Sequence, residues 1–256
     1  MRRTALAAMA LALMAPAAAS TQGRAAADVA AAVAAPGRPK AATDLDEVRK
    51  PAEVLRFMGL KKGDRALDYF TGTGYYADIM ARAVGPKGHV VGWNSNGFGR
   101  NEKVVAALKD IKARNSNTAF YSSPTTAIAF APNSFDFALL HLVYHDAYWE
   151  SAQFGLPRID PNTVVKAIWD SVRPGGTVAV IDHVAAPGGD TRAVVEKLHR
   201  IDPAVVKADF ERAGFVLEAE SRILRVPADD HSKNVFDPSI RGKTDRFMYR
   251  FRKPAR

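Results

Sequence analysis

The chain has 256 residues, a formal net charge of +9 and no cysteine. Without cysteine, disulfides, thiolate zinc sites, a cysteine nucleophile and lipoprotein attachment through an N-terminal cysteine are all excluded. Part of the basic excess sits in the closing stretch RFMYRFRKPAR, which reads as a strand edge guarded by charge or as a surface for phosphates or anionic membranes, and the charge is too diffuse to outline a nucleic-acid surface.

Residues 1–19 read as a signal peptide. Arg2 and Arg3 precede an apolar run from Ala5 to Met14, and Ala17-Ala18-Ala19 offers a cleavage site before Ser20. The run is too short to span a bilayer, so the mature chain is expected to be exported, periplasmic and without stable membrane insertion. Residues 20–43 are Ala-rich with a Pro-Gly break and read as a flexible linker. Residues 44–254 then have the length of one domain.

Within that domain DLDEVRKPAEVLRFMGL patterns as an amphipathic helix closed by Gly59. RALDYF is a short apolar strand, and after a glycine turn YYADIMARAV is helical. GHVVGWN, NEKVVAALKDIKAR and NTAFYS follow as strand, helix and strand. SFDFALLHLVYHD has no charge between Asp136 and Asp146 apart from its histidines, as expected of a strand buried on both faces. DPNTVVKAIWDSV, GGTVAVIDHV, DPAVVKADFERAG, FVLEAESRIL and DRFMYRFRK complete the order as helix, strand, helix, strand, strand. The alternation predicts an α/β fold: a Rossmann-like open sheet of about seven strands, mostly parallel with the last antiparallel, and helices on both faces.

Strand, glycine turn and helix in immediate succession form an arrangement that cradles polar cofactor groups, because glycines admit close approach and the helix N-terminus presents free N–H groups. The turn reads Asp68-Tyr69-Phe70-Thr71-Gly72-Thr73-Gly74. Here the chain resembles the class I S-adenosylmethionine-dependent methyltransferases, whose first motif is an acidic residue followed by x-G-x-G-x-G. Asp68, Gly72 and Gly74 match it; Phe70 stands in place of the first glycine. VRPGGTVAVIDHV and RFMYRFRK are similar to later strands of that fold. More narrowly, ADDHSKNVFDPSIRGKTDRF resembles bacterial predicted methyltransferases that carry signal peptides. The resemblance implies S-adenosyl-L-methionine as cofactor, held by Asp68, Phe70, Thr71, Gly72, Thr73 and Gly74.

Family members place a carboxylate at the end of the second strand for the ribose. Here that end is Gly92-Trp93-Asn94-Ser95-Asn96, leaving Asn94 as a ribose contact or as part of a polar turn. In open parallel sheets ligands bind beyond the strand carboxyl ends. Tyr144, His145 and Asp146 are placed there on the acceptor side. His145 is the candidate base because imidazole titrates near neutrality, with Asp146 to orient it; Asp182 and His183 end a neighbouring strand. His141 reads as a hydrogen-bonded core histidine, and His199 receives no role. The long connection 226–244 is read either as a cover contributing Asp230, His231, Asn234 and Arg241 or as a self-packed surface loop. No metal is expected. The reading is a methyltransferase for a small-molecule acceptor, with a non-catalytic exported binding protein for a nucleoside-like metabolite as alternative; the sequence leaves the oligomeric state open.

Overall fold

The computed structural model describes residues 24–255; the expected signal peptide at 1–19 lies outside them. Four short helices precede the sheet: α1 (Val29–Ala34), α2 (Lys40–Thr43), α3 (Asp46–Arg49) and α4 (Pro51–Met58). Residues 24–43 are not a linker. Asp28 caps α1 by accepting from the Ala31 N–H, and Val29 and Ala32 are buried. Arg24 reaches both Asp64 and Asp136 at 2.8 Å, and Arg38 makes a two-pronged pair with Asp46 at 2.6 and 2.7 Å. The reason lies in α5 (Tyr75–Val84), nine of whose ten residues are buried. A helix apolar around its circumference needs cover on its outer side as well, and alanines are small enough for α1 to supply it.

The strands are β1 (Arg65–Tyr69), β2 (His89–Ser95), β3 (Thr118–Ser123), β4 (Phe135–His141), β5 (Val172–His183), β6 (Val216–Ser221) and β7 (Arg246–Arg252). They form one sheet in the order β3-β2-β1-β4-β5-β7-β6. Strands β1 to β5 pair in parallel, while β7 runs antiparallel to both β5 and β6, the expected α/β arrangement. The carboxyl ends of β1, β2, β4 and β5 therefore share one edge. The order reverses between β1 and β4, which opens a crevice there.

The remaining helices are α6 (Asn96–Gly99), α7 (Glu102–Arg114), α8 (Asn162–Ser171), α9 (Thr191–Leu198) and α10 (Pro203–Arg212). One face of the sheet packs Leu67, Trp93, Leu140, Ile168 and Phe210 into a core; the other packs Val54, Leu55, Ile79, Phe137 and Met248. Among the described residues no helix is long and apolar enough to cross a membrane.

Two departures from the sequence reading bear on the site. Strand β4 stops at His141 rather than running to Asp146, because Leu142 takes a left-handed φ of 59° and His145–Tyr148 winds into a single 3-10 turn. Helix α9 is an additional element capped by Asp190. It does not cross back along the sheet, for Ile201 returns to pair in parallel with Val184. Helix α10 makes the crossover to β6, leaving α9 at the carboxyl edge.

Candidate functional site

The glycine turn leaves β1 at this edge. Asp68 is buried and accepts from the Thr71 hydroxyl and from the Ala77 N–H; burial lifts its carboxyl to about 6. Phe70 holds φ at 58°, the left-handed conformation that glycine adopts freely and that costs other residues about 1–2 kcal/mol. Its ring offsets this by packing edge-on against Trp93 at 5.6 Å and Phe98 at 5.1 Å. Gly72 has φ 57° and open space where a Cβ would stand. Gly74 has φ 83°, and a Cβ there would collide with Ile111 of α7, so this glycine lets α5 and α7 approach. Thr73 is exposed at the rim.

Asn94 is nearly inaccessible. Its Oδ1 accepts from the Gly72 N–H at 2.9 Å and its Nδ2 donates to the Gly72 carbonyl at 3.1 Å. It braces the loop across β1 and β2 instead of facing a ribose. Trp93 is fully buried, stacked on Tyr69 at 4.8 Å, with its Nε1 donating to Ser123 at 2.9 Å. The cradle fits the cofactor at Asp68, the open Gly72 and the N-terminus of α5; the usual ribose carboxylate has no counterpart on β2.

Beyond β4 and β5 lies a cluster of ionisable groups. Asp182, wholly buried at the end of β5, accepts from His145 Nδ1 at 2.8 Å and from the His145 N–H at 2.9 Å. This fixes the ring and turns its Nε2 toward Asp146 Oδ1, 3.4 Å away. Burial opposes charge on His145, yet the two carboxylates push its pKa up to about 9. Burial would raise Asp182, but His145 holds it below the usual carboxylate range. Burial lifts Asp146 to about 6 despite the His145 charge. The His145 ring is thus an imidazolium at neutral pH, which removes it as a ready base.

Tyr144 does not join this group. It is fully buried and donates to Asp209 of α10 at 2.7 Å; the left-handed Leu142 has turned it into the core. His183 receives or donates a bond at 2.7 Å with Thr244, and burial drives its pKa down to about 3. Burial lowers the pKa of His141, whose ring also meets its own backbone, and among the described residues its Nε2 has no hydrogen-bond partner.

The connection 226–244 is ordered by internal and local bonds. Arg200 grips Asp229 at 2.8 and 3.0 Å, and Asp229 also accepts from the Asp245 N–H. Asp230 is exposed and bonds Ser232. His231 pairs with Asp245 at 3.1 Å, Asn234 donates to the Lys197 carbonyl, and Arg241 lies over the Phe236 ring. None of these four enters the ionisable cluster; the loop reaches it through Phe236, whose ring is 5.0 Å from that of His199.

His199, which the sequence reading passed over, stands 5.7 Å from the His145 ring. It ends α9 in a left-handed conformation, φ 49°, and burial lowers its pKa to about 4. Trp149 packs against it at 4.6 Å, and Phe154 packs against both Trp149 and Phe98. An aromatic wall thus runs from the glycine loop to the histidines.

Comparison with known proteins agrees with this geometry. The methyltransferase-domain family matches residues 60–226. A demethylmenaquinone methyltransferase of Geobacillus kaustophilus is 33% identical over 132 residues, 51% of this chain and 50% of its own. One from Listeria monocytogenes is 29% identical over 131 residues, 51% of this chain and 49% of its own. The chain spans about half the length of the curated relatives it matches. Among solved structures, a SAM-dependent methyltransferase from Aquifex aeolicus superposes with a TM-score of 0.56 at 20% identity, covering 82% of this chain and 98% of its own. One from Mesorhizobium loti gives 0.55 at 18%, covering 81% and 99%; at these identities the two share the fold. With a family match that spans the glycine cradle and the strands from β1 to β6, the chain belongs to the methyltransferase-domain family.

Proposed function

We propose that the protein works outside the cytoplasm and methylates a small, apolar acceptor of the phenol or quinol kind. The observation that carries the acceptor reading is the Asp182–His145–Asp146 group set at the carboxyl edge beside an aromatic wall. Asp146 lies close enough to Tyr69, at the start of the glycine turn, for its charge to help burial hold that phenol in its neutral form. Cofactor cradle and cluster are therefore neighbours. The demethylmenaquinone methyltransferases among the relatives support a ring acceptor of this class.

S-adenosylmethionine, when bound, supplies an electrophilic methyl group, and transfer needs the acceptor atom in line and water excluded. The rings of Phe98, Phe154 and Trp149 offer apolar surface for an aromatic acceptor to cover, which would exclude water. The His145 imidazolium, with Nδ1 committed to Asp182 and Nε2 facing the Asp146 carboxylate 3.4 Å away, places positive charge beside an acceptor oxygen and stabilises its anionic form, the better nucleophile, while the Asp146 carboxylate takes the proton that the acceptor hydroxyl loses. The role of His145 is that of a charge stabiliser, with Asp182 as the positioning residue.

The test uses purified chain, labelled S-adenosylmethionine and a panel of phenols and quinols. Label transfer is expected to at least one. His145→Gln should cut kcat by about 100-fold and leave cofactor affinity within a few-fold. Turnover equal to wild type in that variant would remove His145 from the chemistry. Export rests on the motif at residues 1–19 and is checked by cell fractionation, where a periplasmic product shortened at the N-terminus is expected; a full-length cytoplasmic product would overturn it.

A further inference from the structure

A ring nitrogen of His145, an Asp146 carboxylate oxygen and a ring nitrogen of His199 all lie within 4.8 Å of one another. The first two are already 3.4 Å apart, the separation expected of adjacent ligands around bonds of roughly 2.0–2.2 Å. The three donors are close enough together to share one ion. The geometry points to a divalent transition-metal site built from His145, Asp146 and His199, with Asp182 orienting His145 from behind.

Three independent features support it. First, the donor set is two imidazoles and one carboxylate with positions left open, a set that takes ions such as Zn2+ or Fe2+ rather than Mg2+. Second, Asp182 accepts at His145 Nδ1, the carboxylate–histidine arrangement that fixes the tautomer and aims the other nitrogen at a metal. Third, the charges do not balance. Asp146 and Asp182 have side-chain exposures of 17% and 0%, and among the described residues neither forms an ion pair with a lysine or arginine; His145 is the partner of both. Sequestered carboxylates need compensation, and a divalent ion between Nε2 and Asp146 supplies it. His199 is held toward this point at the left-handed end of α9, a position where glycine is the usual residue.

The metal takes the Nε2 lone pair of His145, and any proton on that nitrogen leaves to solvent. A metal held there would take an acceptor oxygen at an open position and lower that oxygen's pKa. This role rests on the acceptor reading above; the binding site itself does not.

The experiment is titration of chelator-treated full chain with Zn2+ by calorimetry and with Co2+ by visible absorption. One Zn2+ per chain and a Co2+ spectrum are expected. His199→Asn keeps a residue that tolerates the left-handed backbone but removes the imidazole; it should retain its metal-free Tm and weaken Zn2+ by tenfold or more. Asp182→Asn should weaken Zn2+ about 10–100-fold, whereas His231→Gln, outside the cluster, should leave affinity unchanged. Should His199→Asn fail to fold, Asp146→Asn carries the same expectation. Failure of wild type to take up either ion, or equal affinity in the ligand variants, overturns the site. S-adenosylmethionine binding measured on the same samples separates this outcome from failure of the methyltransferase chemistry.

Discussion

Asp68 and Asn94 show how a cofactor loop is held by groups whose roles differ from their types. Asp68 is a carboxylate kept where burial favours its neutral form, with its pKa raised to about 6 from 3.8. Its contribution to stability is fully present below pH 3.8 and lost as pH rises through 6. Asp68→Asn removes that loss, so the stability of the variant relative to wild type should be greater at about pH 7.5 than at about pH 4, by on the order of 2–3 kcal/mol, read as a relative rise in Tm. Cofactor affinity should fall at the same time; an equal Tm difference at both pH values would contradict the buried-charge explanation. Asn94→Ala removes both bonds to Gly72 and should destabilise by roughly 1–3 kcal/mol, read as a lower denaturation midpoint with weaker cofactor binding. Asp68, Gly72 and Gly74 were legible because a strand-turn-helix motif is local in sequence. Asn94 was legible as a position but not as a brace, since its partner lies across a strand pair. Tyr144 was misplaced because nothing in LHLVYHD announces the left-handed turn at Leu142.

At the scale of elements, the strands and long helices were readable from their apolar periods, and the errors fall where short pieces depend on distant partners. Helix α9 has eight residues and is stabilised by its packing beside the His145 turn. Without α9, His199 had no visible place in the site. The connection 226–244 was read as either a cover or a self-packed surface loop, and its order comes from the fully buried Arg200 and from Asp229. Asp229→Ala would leave the guanidinium buried without its partner, a loss of about 3–5 kcal/mol. The expected result in a urea melt is a lower midpoint together with easier proteolysis inside 226–244. Replacing Asp230, which is exposed and bonded only locally to Ser232, should change neither. A midpoint unchanged in Asp229→Ala would show that the loop is held by other contacts.

For the whole molecule, the methyltransferase architecture was legible and the N-terminal boundary was not. Alanine-rich sequence carries little apolar bulk of its own, so composition alone reads residues 24–43 as a linker; the apolar outer side of α5 supplies the burial that makes them part of the domain. A chain beginning at residue 44 should lose about 3 kcal/mol relative to one beginning at residue 20, a Tm fall of roughly 6–12 °C. Identical melting would restore the linker reading. The central claim is that the cradle formed by Asp68, Gly72 and the start of α5 binds S-adenosylmethionine. Gly72 sits with open space where a Cβ would stand and a left-handed φ, so a side chain there would fill the space that the cradle leaves open. Calorimetric titration with S-adenosylmethionine, on wild type and on Gly72→Val checked for folding, tests this most directly. Saturable binding at one site per chain, lost in Gly72→Val, is predicted; no binding to the folded wild type, or unchanged affinity in the folded variant, would contradict it.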